Sequence, residues 1–100
     1  MKQKEFDIIL ENRLAKIKEI LSHKAKEYAT TDRLHNFKVA ARINNTTPAK
    51  ALWGMALKHL VSVMDIIEGN IIYDDAMVDE KCGDLINYII LLESVLKEKE

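Results

Sequence analysis

The stretch AKALWGMALKHLVSVMDIIE, residues 49 to 68, is apolar around most of its circumference when wound as a helix, and its polar groups fall on one line. At about 100° per residue, Lys58, Ser62 and Asp65 lie within about 60° of one another, with Ala51 and Met55 continuing the stripe and His59 at its flank. Leu52, Ala56, Leu60, Val63 and Ile67 make one apolar face, and Trp53, Leu57, Val61 and Met64 make another. A helix with two apolar faces is expected to be buried against several neighbours, from this chain or from a second subunit.

Phe6, Ile9, Leu10, Leu14, Ile17, Ile20 and Leu21 recur at helical spacing between charged residues, which predicts an amphipathic helix over residues 3 to 28. Thr30, Thr31 and Asp32 break that pattern and offer an N-cap for a short helix over residues 32 to 44. Thr47 followed by Pro48 starts the third helix, because threonine caps free amides and proline is tolerated at the first helical position. That helix runs to about Glu68, where Gly69 suits a left-handed terminal residue. Asp74 or Asp75 then caps a fourth helix that extends through Leu96. With only three glycines and one proline in 100 residues, the chain has few of the turn-makers a many-stranded fold needs. The expectation is all-α: one helical domain over residues 1–100, a four-helix bundle with one short helix, oligomeric because so small a bundle leaves apolar surface to cover.

Residues 1 to 50 hold eleven Lys and Arg against six Asp and Glu, and residues 51 to 100 hold four against ten, giving +5 and −6. Such a split is read first as attraction between the halves or between subunits; the sharper reading is a site with cations on one wall and carboxylates on the other, suited to a phosphate ligand carrying a metal ion. No helix carries a sustained basic stripe, so duplex nucleic acid is not an expected partner. The amino-terminal MKQKEFDIILENR interleaves charge with apolar residues, unlike a signal peptide or membrane anchor, and the lone Cys82 fits a reducing compartment. A cytoplasmic location without membrane attachment is the expectation.

The fourth helix repeats the pattern of the third. Val78, Cys82, Leu85, Ile89, Leu92 and Leu96 form an apolar seam, while Glu80, Asp84, Asn87 and Tyr88 occupy another side, near Gly83. A glycine inside a helix costs about 1 kcal/mol relative to alanine, which points to close approach by a neighbouring helix or a ligand. Glu80 and Asp84 are one turn apart, so they can share a hard cation such as Mg²⁺, which keeps waters and accepts phosphate oxygens. They also sit where acidic residues complement the helix dipole, and that alternative stays open. Lys58 is placed to neutralise phosphate charge and Asn87 to orient a water or a base edge.

The segments HKAKEYATTDRLHNFKVAARI, TPAKALWGMALKHLVSVMDII and DEKCGDLINYIILLESVL, in this order, resemble the small MazG-like proteins of bacteriophages and prophages, relatives of the all-α NTP pyrophosphohydrolases. The similarity covers roughly residues 20 to 96. It implies an oligomeric helical bundle that holds a nucleoside triphosphate beside Mg²⁺ or Mn²⁺ and cleaves it between the α and β phosphates, in the host cytoplasm. EKCGDL is similar to the family's EELGDL, which makes Glu80 and Asp84 the metal ligands. Lys81 stands where the family often has a second Glu. The family's E-x-x-E pair on the preceding helix is absent, and Lys58 and Asp65 are what this helix offers as catalytic groups. Lys24, Tyr28, Asn36, Asn87 and Tyr88 are the nucleotide-binding candidates, with Arg33 and His35 as phosphate neighbours. A relative that binds nucleotides without cleaving them is the close variant of this reading, and a non-enzymatic helical interaction factor is the alternative from another class.

Overall fold

The computed structural model describes residues 1–24 and 31–98, the side chains of His23 and Lys24 excepted. Among the described residues the chain is all-helical: α1 (Gln3–Lys24), α2 (His35–Ile43), α3 (Pro48–Ile67) and α4 (Asp75–Lys97), with no strand. None of these helices is long and apolar enough to cross a membrane.

The sequence signals explain most of the boundaries. Thr47 is extended, at φ −92° and ψ 156°, and its side chain accepts a hydrogen bond from the Lys50 amide at 3.2 Å, with Pro48 opening α3. Asp74, not Asp75, caps α4 and accepts from the Met77 amide at 2.9 Å. Positive φ at Asn45 (52°) and Gly69 (73°) turns the chain out of α2 and α3. The second helix departs from expectation. Asp32 does not cap it; the carboxylate accepts from the Leu34 amide two residues on, at 2.9 Å, so the backbone turns locally and the helix starts only at His35.

The α3 and α4 helices pack most extensively, as an antiparallel hairpin; α2 lies on α3 and α1 on α4. Leu34, Phe37 and the fully buried Leu52 form the core, with Tyr88, Leu91, Leu92 and Val95 packed on it. The small residues Ala41 of α2 and Ala51 and Ala56 of α3 are buried as well. The end of α4 is tied to the segment before α2 by Lys38, whose Nζ lies 2.6 Å from both Asp32 Oδ2 and Glu98 Oε1. Hydrogen bonds from Lys38 and the Leu34 amide hold the Asp32 carboxyl below its ordinary value, and the two carboxylates raise the Lys38 ammonium above its own.

The first helix is peripheral. It runs in the same direction as α4 and is anchored by Arg13, whose Nη2 donates to the Asp79 carbonyl at 2.8 Å. Gly83 makes this possible: a Cβ there would overlap Arg13 Nη1 and sit 3.2 Å from Cζ. The close neighbour implied by Gly83 is therefore the guanidinium of another helix. Phe6, Ile9, Leu10 and Leu14 of α1 stay exposed, and so do Trp53, Leu57, Val61 and Met64. Among the described residues α2 and α4 pack on α3 while α1 packs on α4, and this leaves the Trp53 face of α3 exposed.

Candidate functional site

Polar side chains from two helices and the turn before α2 converge on a cleft of 290 Å³ between α1, α2, α3 and α4. Its polar lining is Arg33, Asn36, Asp84, Asn87 and Tyr88; its apolar wall is Ile20, Leu21, Phe37, Met55 and Leu91. Asp84 and Asn87, three residues apart on α4, and Asn87 and Leu91, four apart, share a face by helical periodicity alone. Phe37, anchored in the core, positions the neighbouring Asn36 at the rim.

The most informative atom is Asn87 Oδ1. The residue is only 8% exposed, and this oxygen is buried without a hydrogen-bond partner. Leaving a buried acceptor unmet costs about 1–3 kcal/mol, and native folds keep few such groups. An amide at the wall of a cleft, held dry with an unused acceptor, is set up to receive a donor from a ligand.

Asp84 is held from the opposite helix. His59 Nδ1 lies 3.6 Å from Asp84 Oδ2, within ion-pair range when the imidazole is protonated, and the His59 ring stacks on Tyr88 with centroids 4.8 Å apart and planes at 28°. The imidazole thus braces both the carboxylate and the phenol ring that line the cleft. Asp84 and Ile20 also border a second depression of 320 Å³, which contains Glu80, Asp79, Gly83, Arg13 and Lys16. In it, Asp79 is engaged by Lys16 at 3.5 Å and by Arg13 at 4.0 Å. Glu80 is mostly exposed, with Lys81 Nζ 3.8 Å away. Among the described residues, no three His, Cys, Asp or Glu side chains converge as a ready-made metal cage.

The structure therefore brings Asn36, Asp84, Asn87 and Tyr88 together, and places Glu80 one turn away in the adjoining depression. It does not bring Lys58 or Asp65 there. Lys58 is exposed, with its carbonyl accepting from Ser62 Oγ at 3.0 Å, and Asp65 Oδ1 accepts from Asn70 Nδ2 at 3.3 Å. Tyr28 lies outside the described residues, as does the side chain of Lys24. Sequence reasoning missed Ile20 and Leu21 as a cleft wall and His59 as the brace on Asp84. The glycine at position 83 was the available signal for the first, since it marks where α1 comes close.

Compared with family models, curated proteins and solved structures, the chain finds no match in any of the three.

Proposed function

We propose that this chain is a phage-type MazG-like nucleotide-binding protein, which takes a nucleoside triphosphate in the α1–α4 cleft and, with a divalent cation, acts as a pyrophosphohydrolase. The observation that carries the reading is the buried, unpartnered Oδ1 of Asn87, a residue that lines a cleft together with Arg33, whose charge suits an anion, and Asp84, whose carboxylate suits a metal. An apolar wall with one unmet acceptor suits a heteroaromatic base bearing an N–H donor. Arg33, which lines the cleft, is better placed than Lys58 to meet phosphate charge.

The donor set fits Mg²⁺. Glu80 and Asp84 are hard oxygen donors one turn apart bordering one depression, and an ion of this kind needs only one or two carboxylates when substrate phosphates and waters complete its shell. When bound, the ion would polarise a phosphoryl oxygen and lower the pKa of a coordinated water. The residues of the chain do the rest: Asn87 fixes the ligand's orientation, His59 holds Asp84 in place, and Phe37 and Leu91 exclude water.

The alternative reading, a helical interaction factor without catalysis, draws support from the apolar residues that α1 and α3 leave exposed. Thermal-shift titration with a panel of dNTPs, with and without Mg²⁺ or Mn²⁺, separates the two, because only a ligand of the native state raises Tm. The nucleotide reading expects a rise that needs nucleotide and metal together and is lost in Asp84→Asn. Absence of any rise in wild type refutes it and leaves the interaction factor.

A further inference from the structure

Arg13 does more than fasten α1 to α4. Its side chain is only 17% exposed, yet it makes a single hydrogen bond, from Nη2 to the Asp79 carbonyl, and the Asp79 carboxylate stays 4.0 Å away. A guanidinium is a flat fork of N–H donors, and the others here have no hydrogen-bond partner among the described residues. Gly83 admits this group against α4 although glycine is unfavourable inside a helix, so a guanidinium with spare donors stands one residue from Asp84. Lys16, three residues on along the same face of α1, has its Nζ 3.5 Å from Asp79 Oδ2, so one exposed carboxylate is shared between two cations.

Both cations line the 320 Å³ depression, which meets the 290 Å³ cleft at Asp84 and Ile20, residues that border both. The order along α4 is therefore Asn87 in the cleft, Asp84 at the junction, and Glu80 with Arg13 and Lys16 beyond it. We infer that the depression seats the terminal phosphates of the nucleotide, held by Arg13 and Lys16, and that the protein selects its ligands by the length of their phosphate chain. The inference rests on the nucleotide reading for what fills the cleft, and adds a direction to it: base at Asn87, phosphates running past Asp84 towards the amino end of α4. The planar fork of arginine matches two oxygens of one phosphate, and the lysine ammonium adds a point charge for the next. With a divalent cation on Glu80 and Asp84, the charged groups of the depression sum to a net positive value, which suits a polyanion. Both cations precede residues 20 to 96, the span of the resemblance to MazG-like proteins, so this subsite belongs to the chain's own first helix. It also gives α1, otherwise peripheral, a part in binding, because the phosphates bridge it to α4.

Calorimetric titration with dNTPs, their monophosphates and inorganic tripolyphosphate, each with Mg²⁺, tests this, with amide hydrogen exchange recorded on the same samples. Wild type should bind its preferred dNTP at least about 10-fold more tightly than the matching monophosphate. The dNTP and tripolyphosphate, but not the monophosphate, should slow exchange of the α1 amides. Lys16 is 49% exposed, so Lys16→Gln leaves the fold intact. It should weaken dNTP and tripolyphosphate binding by about 5-fold and leave monophosphate binding unchanged. Arg13→Lys, which keeps the charge and loses the fork, should weaken the same two ligands by about 10-fold. A dNTP bound no more tightly than its monophosphate, or bound equally well by wild type and both variants, overturns the inference and leaves the nucleotide reading standing. Tripolyphosphate bound through Lys16 with no nucleotide bound does the reverse, removing the nucleotide reading while the phosphate seat stands. Binding of neither overturns both.

Discussion

Replacing Gly83 by alanine tests how α1 is held to the body of the protein. The new methyl would overlap Arg13 Nη1, so the guanidinium has to shift, which strains or breaks the hydrogen bond from Nη2 to the Asp79 carbonyl, 2.8 Å long in the wild type. A bond from a charged donor contributes about 1.5–3 kcal/mol when sheltered. Asp79 is 57% exposed, so its carboxylate adds little and the lower end of that range applies. Against this loss, alanine improves the helix interior by about 1 kcal/mol. The two nearly cancel, so the melting temperature of Gly83→Ala alone is a poor readout. A double-mutant cycle is a sharp one. Arg13→Ala should cost about 1–2 kcal/mol in the wild-type background and close to nothing in the Gly83→Ala background, a coupling of about 1–2 kcal/mol measured by urea denaturation. Hydrogen exchange should at the same time show faster opening of α1 amides in either single variant, with α3 and α4 unchanged. Additivity within about 0.5 kcal/mol would refute the claim that Gly83 exists to admit Arg13.

Two further outcomes follow from the same structure. Asn87→Leu removes a buried acceptor with no partner, so it should stabilise the ligand-free protein by about 1–3 kcal/mol, a rise of several degrees in Tm, while abolishing the nucleotide-dependent shift; a destabilised variant would mean the amide is already satisfied. The Lys38 cluster makes a pH prediction: Asp32 has a folded pKa below its unfolded value, so its contribution is complete above about pH 4 and lost as pH falls through the depressed value, while that of Lys38, raised above its ordinary value, is lost only as pH rises into the alkaline range. The Tm gap between wild type and Lys38→Met should therefore be largest near neutrality and shrink towards about pH 2, and a gap constant across that range would contradict the pairing.

What the sequence made legible was whatever rests on local rules. Thr47 with Pro48, Asp74 and Gly69 act within a turn of themselves, and the structure follows them. Asp32 was misread because an Asp can serve either a helix cap or a turn two residues on, and the choice depends on Lys38 drawing its other oxygen away. The polar stripe of α4 was also legible, since Asp84, Asn87 and Tyr88 share a face by periodicity alone, and the cleft contains them. Lys58 was assigned to the same site from its position on the α3 stripe, but periodicity gives only the angle around one helix and not which neighbour lies opposite. In the fold, α4 meets the His59 flank of that stripe, so His59 reaches Asp84 while Lys58 points to water. Ile20 and Leu21 became a cleft wall only through the docking of α1, which depends on a contact 66 residues distant in sequence.

The central claim, that the α1–α4 cleft holds a nucleotide at Asn87, is tested most directly by recording the side-chain amide resonances of ¹⁵N-labelled protein during addition of dNTPs with Mg²⁺. The account predicts that the Asn87 side-chain NH₂ signals move saturably with one or more of the nucleotides, together with the backbone amides of Asn36 and Tyr88. Saturable shifts confined to residues outside the cleft, or none at any accessible concentration, would contradict it.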